Sequence, residues 1–93
     1  MYRSPAYLSL IRTKPCMICG NTDTIAHHEP LGRAGMGIKA PDSHAVPLCN
    51  NHHRKRHDKG FDTFWASVDV KMNIIKYLTE YLNKMEKLKN GRA

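Results

Sequence analysis

Between Cys49 and His57 the chain carries one thiol and three imidazoles, Cys49, His52, His53 and His57, interleaved with the basic run Arg54-Lys55-Arg56. Side chains four apart lie one above the other on a helix, so His53 and His57 can share one ion. Cys49 and His52 have the offset at which a thiolate and an imidazole from a helix start supply half of a tetrahedral zinc site. The segment therefore faces two ways, toward two different metals. Upstream, Cys16-Met17-Ile18-Cys19-Gly20 is a C-x-x-C turn closed by glycine. Alone it suits a redox pair, a zinc knuckle or two inert thiols. A redox motif goes with a βαβ pattern that this chain does not offer. Together with Cys49-x-x-His52 it reads as one Cys3His zinc centre: Cys16, Cys19, Cys49 and His52.

A second pair of imidazoles follows the approach Thr24-Ile25-Ala26, at His27 and His28. Neighbouring side chains on a strand point to opposite faces, so one ring should bind metal while the other does something else. The stretch from Leu31 to Asp42 is glycine-rich but lacks the Gly-Lys-Ser/Thr ending of a nucleotide phosphate cradle. With Arg33 and Lys39 it can lie along a phosphodiester backbone or serve as a plain connector.

These groups need elements to position them. At 93 residues the chain is one small domain, of a size that a metal staple helps noticeably. Ser4-Pro5 is a helix start, with Tyr7, Leu8 and Ile11 facing inward. Lys14-Pro15 ends that helix, Ala45-Val46-Pro47-Leu48 reads as a second strand, and Lys59-Gly60 ends the histidine-bearing helix. Phe61, Phe64 and Trp65 are core cover. From Asp69, as N-cap, a long helix runs to Asn90-Gly91, with Ile75, Leu78, Leu82 and Met85 in an a/d rhythm and Ile74, Tyr77, Tyr81 and Leu88 widening the stripe. Packing on the metal core is the expected use of that stripe, in a monomer; homodimerisation through the helix is the alternative. The expected layout is an N-terminal helix (1–14), a zinc-stapled core (15–60) and a C-terminal helical extension (61–93).

Lysine and arginine outnumber acidic residues 15 to 8, for a net charge of +7, which favours a polyanionic partner. Three cysteines cannot all pair in disulfides, no secretory signal is visible, and no apolar run approaches the roughly 20 residues that span a bilayer. A soluble protein of a reducing compartment, the cytoplasm, is expected, with no membrane partner.

Assembled, the chain resembles the HNH endonucleases of the ββα-metal fold, most of all the small bacteriophage and prophage members, the recombination-enhancing nucleases among them. The shared pattern is Pro15-Cys16-x-x-Cys19-Gly20, Ala26-His27-His28, Gly35-Met36-Gly37-Ile38-Lys39 and Val46-Pro47-Leu48-Cys49-x-x-His52-His53-x-x-x-His57, spanning about residues 4 to 66. The resemblance implies an α+β fold: a small ββα-metal core with a Cys3His knuckle, a short N-terminal helix and a long C-terminal one. It implies His27, His53 and His57 as ligands of a catalytic divalent cation and His28 as the general base that activates water. Imidazoles titrate at about pH 6.5, so a neutral ring is available for that task. DNA is the implied substrate, nicked or cleaved with little sequence specificity to leave 5′-phosphate and 3′-hydroxyl ends. The implied setting is phage or prophage recombination or processing in a bacterial host, with a recombinase filament as a further partner. Arg54, Lys55 and Arg56 are placed to reach neighbouring phosphates.

The chain departs from the family pattern in two places. The middle asparagine has no clear counterpart, with His44, Asp42 and Asn50 all candidates. Three imidazoles and no carboxylate favour zinc, nickel or manganese over magnesium, although a hard ion such as Mg2+ or Mn2+ is accommodated if water and phosphate complete its shell. The competing reading is a non-catalytic zinc-binding DNA-binding module, in which His27, His28, His53 and His57 hold a second structural metal or none.

Overall fold

The computed structural model describes residues 2–31 and 40–90. Arg33 and Lys39, expected along a phosphate backbone, lie outside the described residues, as does the Gly35–Lys39 part of the shared pattern. The described residues form a small α+β fold of three helices and a two-stranded sheet: α1 (Pro5–Arg12), β1 (Thr24–His28), a short 3-10 turn (Asp42–His44), β2 (Ala45–Cys49), α2 (Asn50–Phe64) and α3 (Val70–Asn90).

Helix α1 begins where Ser4 Oγ accepts the Tyr7 N–H, and Pro5 occupies the first turn, where no donor is needed. It buries Tyr7 and Ile11 against Ala45, while Tyr7 meets the ring of Tyr81 edge-on at 5.2 Å. The strands pair antiparallel, with Thr24 opposite Cys49, His27 opposite Val46 and His28 opposite Ala45. Every residue of β2 is buried, so its Val46-Pro47-Leu48 run is the floor on which the helices pack. Pro47 has no N–H to give, and its carbonyl accepts the Met17 N–H, which docks the Cys16–Gly20 turn on β2. That turn closes through Gly20 N–H to the Cys16 carbonyl at 2.8 Å, with Gly20 at φ +80, where a side chain would be strained.

Helix α2 breaks where the sequence places its end. Gly60 has φ 80 and ψ 174, a conformation open essentially to glycine alone. One further turn follows to Phe64, and the re-aimed chain delivers Trp65 into the core beside Cys16, Cys49, Val70 and Ile74.

Helix α3 starts at the expected cap, with Asp69 Oδ1 accepting the Met72 N–H at 3.0 Å. Its apolar stripe divides differently from the a/d expectation. Val70 and Ile74 are buried and Tyr77, Leu78 and Tyr81 pack on the core, but Ile75, Leu82, Met85 and Leu88 are exposed, Leu82 to 64%. Two physical reasons apply: at about 100° per residue Ile75 and Leu82 turn off the face that Ile74, Leu78 and Tyr81 pack on the core, whereas Met85 and Leu88 keep to that face but lie beyond Tyr81. No helix among the described residues is long and apolar enough to cross a membrane.

Candidate metal centre

Two groups of potential ligand atoms assemble around the β2–α2 junction. In the first, Cys16, Cys19, Cys49 and His52 bring three sulfurs and a ring nitrogen within 4.8 Å of one another. The Cys16–Gly20 turn supplies two thiols, the end of β2 the third, and the first turn of α2 the imidazole. Cys19 Sγ lies 3.8 Å from Cys49 Sγ, and His52 Nδ1 lies 3.3 Å from Cys49 Sγ and 3.7 Å from Cys16 Sγ. A disulfide needs about 2.05 Å, and all three cysteines are free. A zinc tetrahedron with Zn–S of about 2.3 Å and Zn–N of about 2.0 Å has edges of roughly 3.5 to 3.8 Å, so the donor spacing suits an ion such as zinc. The electrostatics agree. Burial alone would push the Cys16 thiol up, but the N–H groups of Cys49, Cys19 and Ile18 and the Cys19 thiol hold it below its ordinary value. Cys19 goes the other way. The Asn21 N–H favours its thiolate, yet desolvation and the crowding sulfurs of Cys16 and Cys49 raise it overall. Three sulfurs so close cannot all ionise at ease without a cation among them.

The second group is His27, His53 and His57, whose ligand nitrogens also lie within 4.8 Å of one another. The α2 pair, one turn apart, brings Nε2 to Nε2 at 3.1 Å. Two nitrogens at that distance require a proton or a cation between them. His27 reaches them from β1, with ring centroids 5.1 Å from His53 and 6.0 Å from His57. Burial, and then the neighbouring His27 and His57, hold His53 below the ordinary histidine value, which favours the neutral, metal-binding ring.

His28, next along β1, is outside that group. Its side chain is 34% exposed, and its Nε2 donates to Asp42 Oδ1 at 2.8 Å. Asp42 also accepts the Ser4 N–H at 2.7 Å and an Arg3 Nη1 bond at 3.0 Å. Burial would raise the Asp42 carboxyl, but Ser4, His28 and Arg3 together lower it, so it stays an acceptor for the imidazole. Of the three candidates for the middle position, Asp42 is the one that touches His28. His44 instead offers its carbonyl to the Glu29 N–H, and Asn50 is exposed on α2.

Comparison with known proteins yields a family match over residues 1–81, to "Protein of unknown function (DUF968)". The chain belongs to the DUF968 family. A 52-residue stretch is 40% identical to the uncharacterized protein YdfU of Escherichia coli (strain K12), a match covering 55% of this chain and only 15% of YdfU. No solved structure matches.

Within this DUF968 chain, the basic run divides in a way the sequence reading did not foresee. Arg54 and Lys55 are exposed as expected, but Arg56, expected to reach phosphates, is buried. At about 100° per residue the third position of the run turns under α2. There its Nε and Nη2 form a two-bond fork to Glu29 at 2.8 and 2.9 Å, and its guanidinium lies 5.8 Å from the Phe61 ring centroid. Glu29 itself was missed. Fully buried, its carboxylate also accepts from His27 Nε2 at 3.1 Å, Trp65 Nε1 at 2.8 Å and the Leu31 N–H at 2.7 Å. Burial would push this carboxyl up, but the bonds from His27, Arg56, Trp65 and Leu31 outweigh it and hold it far below the usual range. One signal was available: residues two apart on a strand share a face, so Glu29 belongs beside His27.

Proposed function

We propose that this chain is a metal-dependent HNH endonuclease hydrolysing phosphodiester bonds in DNA. The observation that carries the reading is the separation of the two imidazoles on β1: His27 joins His53 and His57, while His28 stands apart, partly exposed and backed by Asp42. Three protein ligands leave positions for water and substrate, the mark of catalytic rather than structural sites. A divalent cation held there would supply Lewis acidity to the phosphoryl group and the leaving oxygen. Magnesium or manganese would rely on water and phosphate oxygens, whereas nickel or zinc suits the imidazoles directly. Cys16, Cys19, Cys49 and His52 would hold a structural zinc.

The proton transfer falls to His28. With its Nε2–H given to Asp42, its Nδ1 lone pair takes a proton from water, whose oxygen bonds to phosphorus as the bond to the 3′ oxygen breaks and that oxygen takes a proton from solvent. Products carry 5′-phosphate and 3′-hydroxyl ends. In this reading Asp42 stands where the HNH pattern has its middle asparagine, and it holds the base in one tautomer.

Exposed Arg54 and Lys55 flank the trihistidine group on α2 and would neutralise phosphates without reading sequence. Replacing either by alanine is expected to lower the slope of log K against log salt by about 0.9 and to leave the melting temperature unchanged. A binding titration at several salt concentrations measures both the affinity and the slope.

The direct test is plasmid nicking by wild type and His28→Ala with magnesium, manganese, nickel or zinc supplied. The variant is expected to lose about 100- to 10,000-fold in rate while taking up the same metal. If His28→Ala instead loses a metal ion, the ring is a fourth ligand, and the closed zinc-binding DNA module replaces the nuclease.

A further inference from the structure

The Glu29 carboxylate is placed to do more than neutralise Arg56. Its Oε1 receives the Nε2–H of His27, and the same oxygen is fixed by Arg56 Nε and Trp65 Nε1, each at 2.8 Å. Its other oxygen holds the Leu31 N–H at 2.7 Å and Arg56 Nη2 at 2.9 Å. Five donors on a fully buried carboxylate leave it no rotational freedom, so the direction from which it meets His27 is set by α2 and by the start of the segment leading into α3. A carboxylate only accepts. The ring nitrogen facing it must therefore carry the proton, and the lone pair of His27 sits on Nδ1.

We propose that Glu29 is the positioning residue of the trihistidine site: held by Arg56 and Trp65, it takes the Nε2–H of His27 and so presents Nδ1 to the cation. This rests on the reading of His27, His53 and His57 as a cation site, and it adds a residue that touches neither cation nor substrate. Carboxylate partners of ligating histidines fix tautomer and ring orientation and raise ligand basicity, and their loss typically weakens metal binding about 10- to 100-fold. The Cys3His group shares no side chain with this network, so in folded protein its donor set is the same with or without Glu29.

The test starts from folded protein holding one equivalent of cobalt(II), whose thiolate charge-transfer absorption reports the Cys3His group, and calorimetry reports uptake of the second equivalent. Glu29→Gln, which retains shape but loses charge, should weaken the second equivalent about 10- to 100-fold while the thiolate absorption saturates as in wild type. Because Glu29→Gln leaves Arg56 buried without its counter-ion, the double variant Glu29→Gln/Arg56→Met is measured beside it. Removing both charges spares the fold, and the double variant should show the same selective loss. In a His27→Ala background, Glu29→Gln should have no further effect on metal affinity. A second equivalent bound as tightly by the folded double variant as by wild type overturns the role of Glu29. Wild type taking up one equivalent only removes the trihistidine site, and this proposal with it. Two equivalents bound in the expected way by a protein that nicks no DNA would leave the proposal standing and sink the nuclease.

Discussion

Serine in place of Cys49 is expected to leave the chain largely unfolded at 25 °C, the largest effect of any single substitution here. Cys49 ends β2, opens α2 and sits opposite Thr24 in the strand register, so its sulfur lies where the sheet, the helix and the Cys16–Gly20 turn meet. The Met17 N–H to Pro47 carbonyl bond is a backbone link between the turn and β2, and Trp65 packs beside Cys16 and Cys49 from the far side. Structural zinc in small domains contributes about 10 to 16 kcal/mol at pH 7, whereas domains of this size are stable by only about 5 to 15 kcal/mol. Losing a thiolate ligand therefore removes a contribution as large as the whole stability. Far-UV circular dichroism and zinc content check this together. Chelation of wild type should reproduce the loss, and zinc should restore it. A metal-free Cys49→Ser variant that melts cooperatively at the wild-type temperature would show that the Cys3His group is no staple.

Arg56→Ala should destabilise the fold by about 3 to 5 kcal/mol, while Arg54→Ala, two residues away on the same helix, should change stability by less than about 0.5 kcal/mol. The difference follows from burial. Arg54 is solvated, whereas Arg56 forks onto the fully buried Glu29 and lies against Phe61. Its removal strands a carboxylate that has no water to turn to, leaving His27, Trp65 and the Leu31 N–H as the remaining donors. For a domain this short, about 3 kcal/mol is a fall of more than roughly 10 °C in melting temperature. Equal melting temperatures for the two variants would mean that Arg56 is an ordinary surface cation. Urea denaturation of zinc-loaded protein separates this loss from any loss of metal.

The features that were legible in the sequence are those whose signal is local. Ser4-Pro5 caps α1, Asp69 caps α3, Gly60 breaks α2 and Gly20 closes the C-x-x-C turn, because each depends on a backbone conformation or donor set within a few residues. Cys16, Cys19, Cys49 and His52, and the pair His53 and His57, were legible because their residue types are rare and their offsets match a knuckle and a helix turn, whereas the choice of His27 over His28 came from the family resemblance. Glu29 was legible only in part: strand alternation puts it beside His27, but its burial depends on Arg56 and Trp65 arriving from 27 and 36 residues away. Without that knowledge, a glutamate before a proline reads as surface. Arg56 was lost for the same reason, as its neighbours Arg54 and Lys55 make the whole run look solvated. In α3, periodicity showed an apolar stripe but neither where its centre lies nor how far the surface beneath it extends, so Ile75 and Leu82 fall off its edge and Met85 and Leu88 beyond its end.

The most direct measurement of the proposed activity is to incubate supercoiled plasmid with protein holding one equivalent of zinc and each added metal in turn, then to treat the product with DNA ligase. An HNH nuclease gives nicked circles only with an added divalent cation, and ligase alone reseals them, because the ends are 5′-phosphate and 3′-hydroxyl. Plasmid that stays supercoiled with every metal, although the protein binds it and holds two tight zinc ions, would contradict the assignment and leave a zinc-binding DNA module.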